Sequence, residues 1–186
     1  MKVYDFDGTI CYKDCSFAFW RYCIKMRPWI LLMLPVQLIG ICIHCVNLTR
    51  KMDSWWIYLR LARIDDAIIK SFVDQHERYI CDWYLQQKQT TDVIISASPE
   101  FLVKEFCERL NVAYIASHID VRTGKRSKPY CHGKEKVKRF REQYPNATIS
   151  ESYGNAESDR YIMEEGQHAY LVQNLSRSDV NIQQWY

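Results

Sequence analysis

Apolar and polar positions divide the chain into three stretches. Lys2–Phe6 is a short, mostly apolar run that stops at Gly8, and it reads as a buried strand. From Tyr12 to Gln89 the apolar residues recur at helical spacing, and many are aromatic. From Asp92 onward, short apolar runs alternate with amphipathic segments.

The last stretch is the clearest. Val93-Ile94-Ile95-Ser96 is a β-branched run and predicts a buried strand. Ser98-Pro99-Glu100 reads as a helix start, with Ser98 as N-cap and Pro99 at the first helical position. Leu102, Val103, Phe106, Cys107 and Leu110 keep helical spacing, and Asn111 suits the stop. Ala113–Ala116 reads as the next strand. The Thr123-Gly124 turn predicts a hairpin within Asp120–Tyr130. Lys134–Tyr144 reads as a helix with Val137, Phe140 and Tyr144 on one face, broken by Pro145-Asn146. Thr148–Tyr153 and Ala169–Val172 complete the strands. This alternation predicts an α/β fold, a parallel sheet wrapped by helices.

About eighty residues separate Thr9 from Val93, whereas a crossover between parallel strands needs only about a dozen. The excess reads as four helices: Ser16–Met26, Pro28–Asn47, Asp53–Arg63 and Asp65–Gln87. Asp53 and Asp65 are the N-cap candidates. Breaks fall at Arg27-Pro28, Asn47-Leu48-Thr49 and Ile64-Asp65-Asp66.

Composition narrows the class. With 48% hydrophobic and 25% charged residues, the chain is globular rather than disordered. A net charge of +3, with no basic block, argues against a nucleic-acid partner. The first residues hold DFDGT where a signal peptide would have its apolar core, so a cytoplasmic location is expected. Eight cysteines are scattered, often inside apolar runs, and free buried thiols are expected. Cys42 and Cys45 form one C-x-x-C without a second pair, which reads as helix residues rather than a zinc site.

Chemistry gathers at the predicted strand ends, where open parallel sheets bind ligands. The first strand ends in Asp5-Phe6-Asp7-Gly8-Thr9, the second in Ser96, and the Thr148–Tyr153 strand in Gly154-Asn155-Ala156-Glu157-Ser158-Asp159. Lys136 opens the helix before that strand. Carboxylates collected in one crevice need a cation, or one of them must be neutralised, and Mg2+ suits oxygen donors. An aspartate beside it can attack phosphorus. A lysine and a hydroxyl can stabilise the transferring phosphoryl oxygens. A second carboxylate can serve as acid and then base.

In their order, DFDGT, VIISASPE, GKEK and YGNAESD resemble the haloacid dehalogenase-like (HAD) superfamily, nearest its phosphoserine-phosphatase-like branch. The resemblance implies a Rossmann-like parallel-sheet core (HAD fold) from residues 1–11 and 90–186, with residues 12–89 as an inserted helical cap. It implies a Mg2+-dependent phosphomonoesterase that forms an aspartyl-phosphate. Asp5 would be nucleophile and metal ligand; Asp7 would be acid/base and lend its carbonyl to the metal. Ser96 would bind phosphate, aided by the backbone N–H of Ala97. Lys136 would tie nucleophile to phosphate; Lys134 is a nearby competitor, though G-x-x-K spacing from Gly133 favours Lys136. Asn155 and Asp159 would complete the metal site, with Asn155 standing where the family usually has an aspartate. A neutral ligand there predicts weaker magnesium binding.

Two features of the insertion keep alternatives open. Asp14 either faces substrate or caps the helix beginning near Ser16. The uncharged stretch from Pro28 to Thr49 reads as cap helices, yet its tryptophans and flanking Arg27, Arg50 and Lys51 also suit contact with a membrane surface. Some phosphatases of the branch it resembles act on phosphorylated lipids such as phosphatidylglycerophosphate, so the resemblance leaves substrates open from small phosphomonoesters to lipid phosphates. The rival readings are a phosphotransferase and a non-catalytic protein that binds a phosphorylated ligand.

Overall fold

The computed structural model describes residues 1–43 and 54–185. Strands β1 (Lys2–Tyr4), β2 (Val93–Pro99), β3 (Ala113–Ser117), β4 (Ile149–Gly154), β5 (Gly166–Asn174) and β6 (Val180–Gln184) form one sheet. Their spatial order is β3-β2-β1-β4-β5-β6. All neighbours run parallel except the antiparallel β5–β6 pair. The expected α/β class is therefore borne out. β1 lies between β2 and β4, so the chain order reverses at β1. That makes the carboxyl end of β1 the place where a crevice opens in such sheets.

Helices α1 (Cys15–Met26), α2 (Leu34–Ile43), α3 (Leu59–Ala62), α4 (Asp66–His76) and α5 (Asp82–Gln87) lie between β1 and β2. α6 (Glu100–Leu110) joins β2 to β3, α7 (Lys134–Gln143) precedes β4, and α8 (Arg160–Met163) follows it. Successive strand residues point to opposite faces, and both faces are covered. Val3, Val93 and Ile95 pack with Phe140 and Ile162 on one side. Tyr4 and Ile94 join the larger cluster on the other. In that cluster, Phe6 meets Phe106 (5.3 Å between ring centroids), Phe106 meets Phe72 (6.3 Å), and Phe72 meets Phe19 (5.0 Å). This aromatic column ties the loop after β1 to α6, α4 and α1 in turn.

Several expectations need correction. β1 ends at Tyr4 rather than Phe6, because the Phe6 carbonyl accepts Cys11 N–H (2.9 Å) in a turn. β2 runs on through Ser98, and Pro99 rather than Ser98 sits at the N-cap of α6. Asp65–Gln87 is not one helix: Ile80 is extended and bridges Cys11, with Cys81 N–H donating to the Ile10 carbonyl (2.8 Å). The Pro28 segment begins as a 3₁₀ turn (Pro28–Met33) before α2. The hairpin within Asp120–Tyr130 is reduced to a single Ile119–Arg126 bridge. There Asp120 accepts from Thr123 N–H (2.7 Å), and Gly124 takes φ +68°. β6 was not expected. Asn111 does stop α6 in the left-handed region (φ 54°), and Asp65 does cap α4 through Ile68 N–H (2.9 Å).

Cys11, Cys15, Cys23, Cys81, Cys107 and Cys131 are buried free thiols. The Cys42/Cys45 pair and the Asp53 cap extend outside the described residues.

Phe106→Ala removes the middle of the aromatic column. It is expected to cost about 3–5 kcal/mol, read as a lower urea midpoint with little change in slope.

Candidate active site

β1 hands the chain into the loop that carries both aspartates. Asp5 N–H still donates to the Tyr153 carbonyl (2.9 Å), which fixes Asp5 beside the end of β4. Phe6 turns inward to Phe106, so Asp5 and Asp7 both face the crevice. Gly8 takes φ +79°, and a β-carbon there would lie 1.9 Å from Asn155 Nδ2. Only glycine suits this turn, for its conformation and for the Asn155 amide packed against it. Asn174 on β5 clamps the loop by donating Nδ2–H to the carbonyls of Gly8 (2.9 Å) and Thr9.

Lys136 is the hub of the site. It is 1% exposed, in the first turn of α7. Its Nζ donates to Asp5 Oδ1 (2.5 Å) and Asp159 Oδ1 (2.7 Å). Of the two candidate lysines, Lys134 instead lies over the Tyr161 ring. The second oxygen of Asp5 accepts from the Thr9 hydroxyl (3.1 Å). That of Asp159 accepts from Asn155 N–H (3.3 Å) and Ala156 N–H (3.2 Å). Burial pushes Asp5 above the usual carboxylate range; Lys136 pulls it back and Asp159 pushes it up again. Burial alone would lower Lys136, but the two carboxylates together raise it well above an ordinary lysine.

Asp7 is held separately. Oδ1 accepts from Cys15 N–H (2.7 Å), and Oδ2 accepts from the Ser98 hydroxyl (2.5 Å) and, more weakly, from Ser96 (3.4 Å). Ser98 in turn shares a hydrogen bond with Ser16 on α1 (2.7 Å). The protein packed around Asp7 pushes its carboxyl from an ordinary 3.8 up to about 7, against the pull of the Ser98 bond. Ser96 is buried and its Oγ accepts from Ser98 N–H (3.0 Å). Ala97, between them, is partly exposed.

The crevice thus gathers Asp5, Asp7, Ser96, Lys136 and Asp159, with Asn155 alongside. Asp14 is exposed, and its Oδ1 accepts from Phe17 N–H (2.7 Å) as the N-cap of α1. Motif reading missed Thr9, Ser98, Ser16 and Asn174 as supporting residues. Thr9 was legible as part of DFDGT; Ser98 resembled a helix cap.

Among the described residues, no group of three His, Cys, Asp or Glu side chains is placed to hold a metal. Two carboxylates, Asp5 and Asp159, do meet, and one ammonium leaves them with a net negative charge. The resemblance would add the Asn155 side-chain oxygen and the Asp7 carbonyl as neutral donors. An all-oxygen donor set with surplus negative charge suits magnesium.

A family model described as haloacid dehalogenase-like hydrolase matches residues 3–164. A HAD family hydrolase from Salmonella enterica subsp. enterica serovar Typhi has a similar structure, with TM-score 0.63 and 14% identity. The match covers 88% of this chain, which spans 59% of that one. A phosphoserine phosphohydrolase-like protein from Francisella tularensis subsp. tularensis SCHU S4 gives TM-score 0.51 at 17% identity, over 89% of this chain and 83% of that one. Phosphoserine phosphatase in its apo form gives 0.54 at 11%, over 90% and 82%. At such identities the likeness is one of fold. No curated protein matches the sequence.

A carboxyl raised from 3.8 to about 7 is protonated more readily in the folded chain than in the unfolded one. Its contribution to stability is therefore present at about pH 4 and is lost as pH rises through 7. Asp7→Asn is expected to raise the urea midpoint at pH 8 without divalent cations, and to leave it nearly unchanged at pH 4. Equal effects at both pH values would rule out this origin.

Proposed function

Because this chain belongs to the haloacid dehalogenase-like hydrolases, we propose that it is a magnesium-dependent phosphatase of phosphomonoesters working through an aspartyl-phosphate on Asp5. The observation that carries this reading is Lys136 bridging Asp5 and Asp159, with Asp7 held two residues beyond Asp5 on its own hydroxyl network.

An Asp5 carboxylate oxygen forms a bond to phosphorus as the ester oxygen leaves. Asp7 gives that oxygen its proton, so that it leaves as an alcohol, and Asp7 remains as a carboxylate. Water then loses a proton to Asp7 and attacks phosphorus, which frees phosphate and restores Asp5. A carboxyl near 7 suits both halves of this cycle. Ser96, the Ala97 N–H and Lys136 bind the phosphoryl oxygens as their charge changes. Asp5, the Asp7 carbonyl, Asn155 and Asp159 would hold the magnesium ion, whose charge would offset that of phosphate and carboxylates. The helical insertion of residues 12–89 serves as a cap that limits water and helps select substrate. Asp14 has one oxygen on the α1 cap and the other available to a substrate amine or water.

A second reading of the substrate is a phosphorylated lipid, with the cap touching a membrane surface from the cytoplasmic side. The exposed Trp29, Leu32, Leu38 and Ile39 favour it. No described helix is long and apolar enough to cross a membrane.

Phosphate release from an aryl phosphate with magnesium tests the main reading. Asp5→Asn is expected to abolish turnover, and Asp7→Asn to lower kcat by about 10²–10⁴. A protein that turns over no phosphomonoester with magnesium or manganese is better read as a binding protein. A screen of metabolite and lipid phosphates then separates the two substrate classes. Asn155→Asp is expected to lower the magnesium concentration giving half-maximal rate; an unchanged or higher requirement would contradict the assigned ligand.

A further inference from the structure

Beside the core, the insertion carries a groove of about 570 Å³ between α1 and the end of α4. Lys13, Arg21, Lys25 and Arg78 line it, with Phe17 and Tyr79 among its aromatic walls. Among the described residues, none of these four cations forms an ion pair. Lys13 and Arg78 rest instead on the rings of Tyr12 and Tyr79. The groove's one carboxylate, Asp14, already accepts a hydrogen bond at the α1 cap.

The groove borders an apolar surface. Met26 lines it and is itself exposed. The chain then exposes Trp29 (53%), Leu32 (71%), Val36, Leu38 and Ile39 within a dozen residues. Trp29 is anchored by Nε1–H to the Leu61 carbonyl (3.2 Å) while its ring faces out. From Cys15 to Met52 the sequence has Arg21, Lys25, Arg27, Arg50 and Lys51 and no aspartate or glutamate.

An apolar face of this kind needs an occupant. A second copy would bring one basic rim against another, which like-charge repulsion opposes. An anionic bilayer supplies both complements: an apolar layer for the side chains and negative headgroups for the cations. Tryptophan, apolar with one polar edge, suits that boundary. We propose that residues 28–39 dock into the surface of an anionic bilayer and that the basic groove receives lipid phosphate headgroups. This rests on the membrane reading of the apolar surface and is independent of the hydrolytic reading of the core.

Flotation with vesicles of phosphatidylcholine, alone or mixed with phosphatidylglycerol, tests it on the full chain. Binding to the mixed vesicles should be at least about tenfold stronger, and the difference should shrink at high salt. Arg21→Glu with Lys25→Glu should bring binding down to the phosphatidylcholine level. Leu32→Asp with Ile39→Asp should weaken binding to both vesicles. Both double variants should keep the wild-type circular dichroism, melting temperature and hydrolysis of a soluble aryl phosphate. Equal binding to both vesicles, unmoved by the charge reversals, would overturn the headgroup groove while leaving the apolar contact standing. No binding to either, with a wild-type dimer that Leu32→Asp and Ile39→Asp dissolve in gel filtration, would assign the surface to a second copy instead. Salt-sensitive binding to the mixed vesicles by a wild type that turns over no aryl phosphate would sustain this proposal and overturn the hydrolytic reading alone.

Discussion

The site depends on one buried cation. Lys136 joins the loop after β1, the first turn of α7 and the turn after β4. Removing three charges from water is costly, and their attraction offsets that cost only with close geometry and satisfied remaining lone pairs. Both conditions hold. The contacts are 2.5 and 2.7 Å, and the outer carboxylate oxygens are met by Thr9, Asn155 and Ala156. The sheet order then places Ser96 and Asp7 beside the triad, because β1 lies between β2 and β4. The two aspartates of one loop consequently live in different environments. Asp5 is in a charged network, and Asp7 is among hydroxyls and a backbone N–H.

The insertion is fastened to this centre at both its ends. The chain leaves past Ile10–Tyr12 and returns through Tyr79–Cys81. The two passes are paired, with Tyr12 N–H donating to Tyr79 and Cys81 N–H to Ile10. Ser16 and Cys15 at the start of α1 reach the Asp7 network directly. The aromatic column then carries the packing outward. One apolar-rich segment thus does two things: its buried rings bind it to the sheet, and its outer residues form the exposed surface.

Much of this was legible in the sequence because the signals are local. The β-branched run at Val93–Ile95, the helical spacing of α6 and α7, and the rule that chemistry stands at strand ends located Asp5, Asp7, Ser96, Lys136 and Asp159. What escaped depends on distant partners. Ser98-Pro99-Glu100 is a good helix start on its own terms, but the Ser98 hydroxyl is taken by Asp7, 91 positions away. Helical periodicity continues through Ile80 and Cys81, yet pairing with Ile10 and Cys11 prevails there. β6 is a largely exposed edge strand, and the apolar alternation of VNIQQ stops at Val180 and Ile182, too short to mark a strand. Asn174 carries no motif, since its role is defined by a loop it meets only in the fold.

The Asn174 clamp also imposes an order in time. The loop carrying Asp5 and Asp7 is made well ahead of the side chain that holds its carbonyls, which follows 166 residues after Gly8. During synthesis Asp5 and Asp7 emerge long before the strand that fixes their backbone. Nascent chains lacking β5 therefore lack the fixed loop, however well their helices have formed. The same separation couples the loop to β5, two strands away from β1 in the sheet.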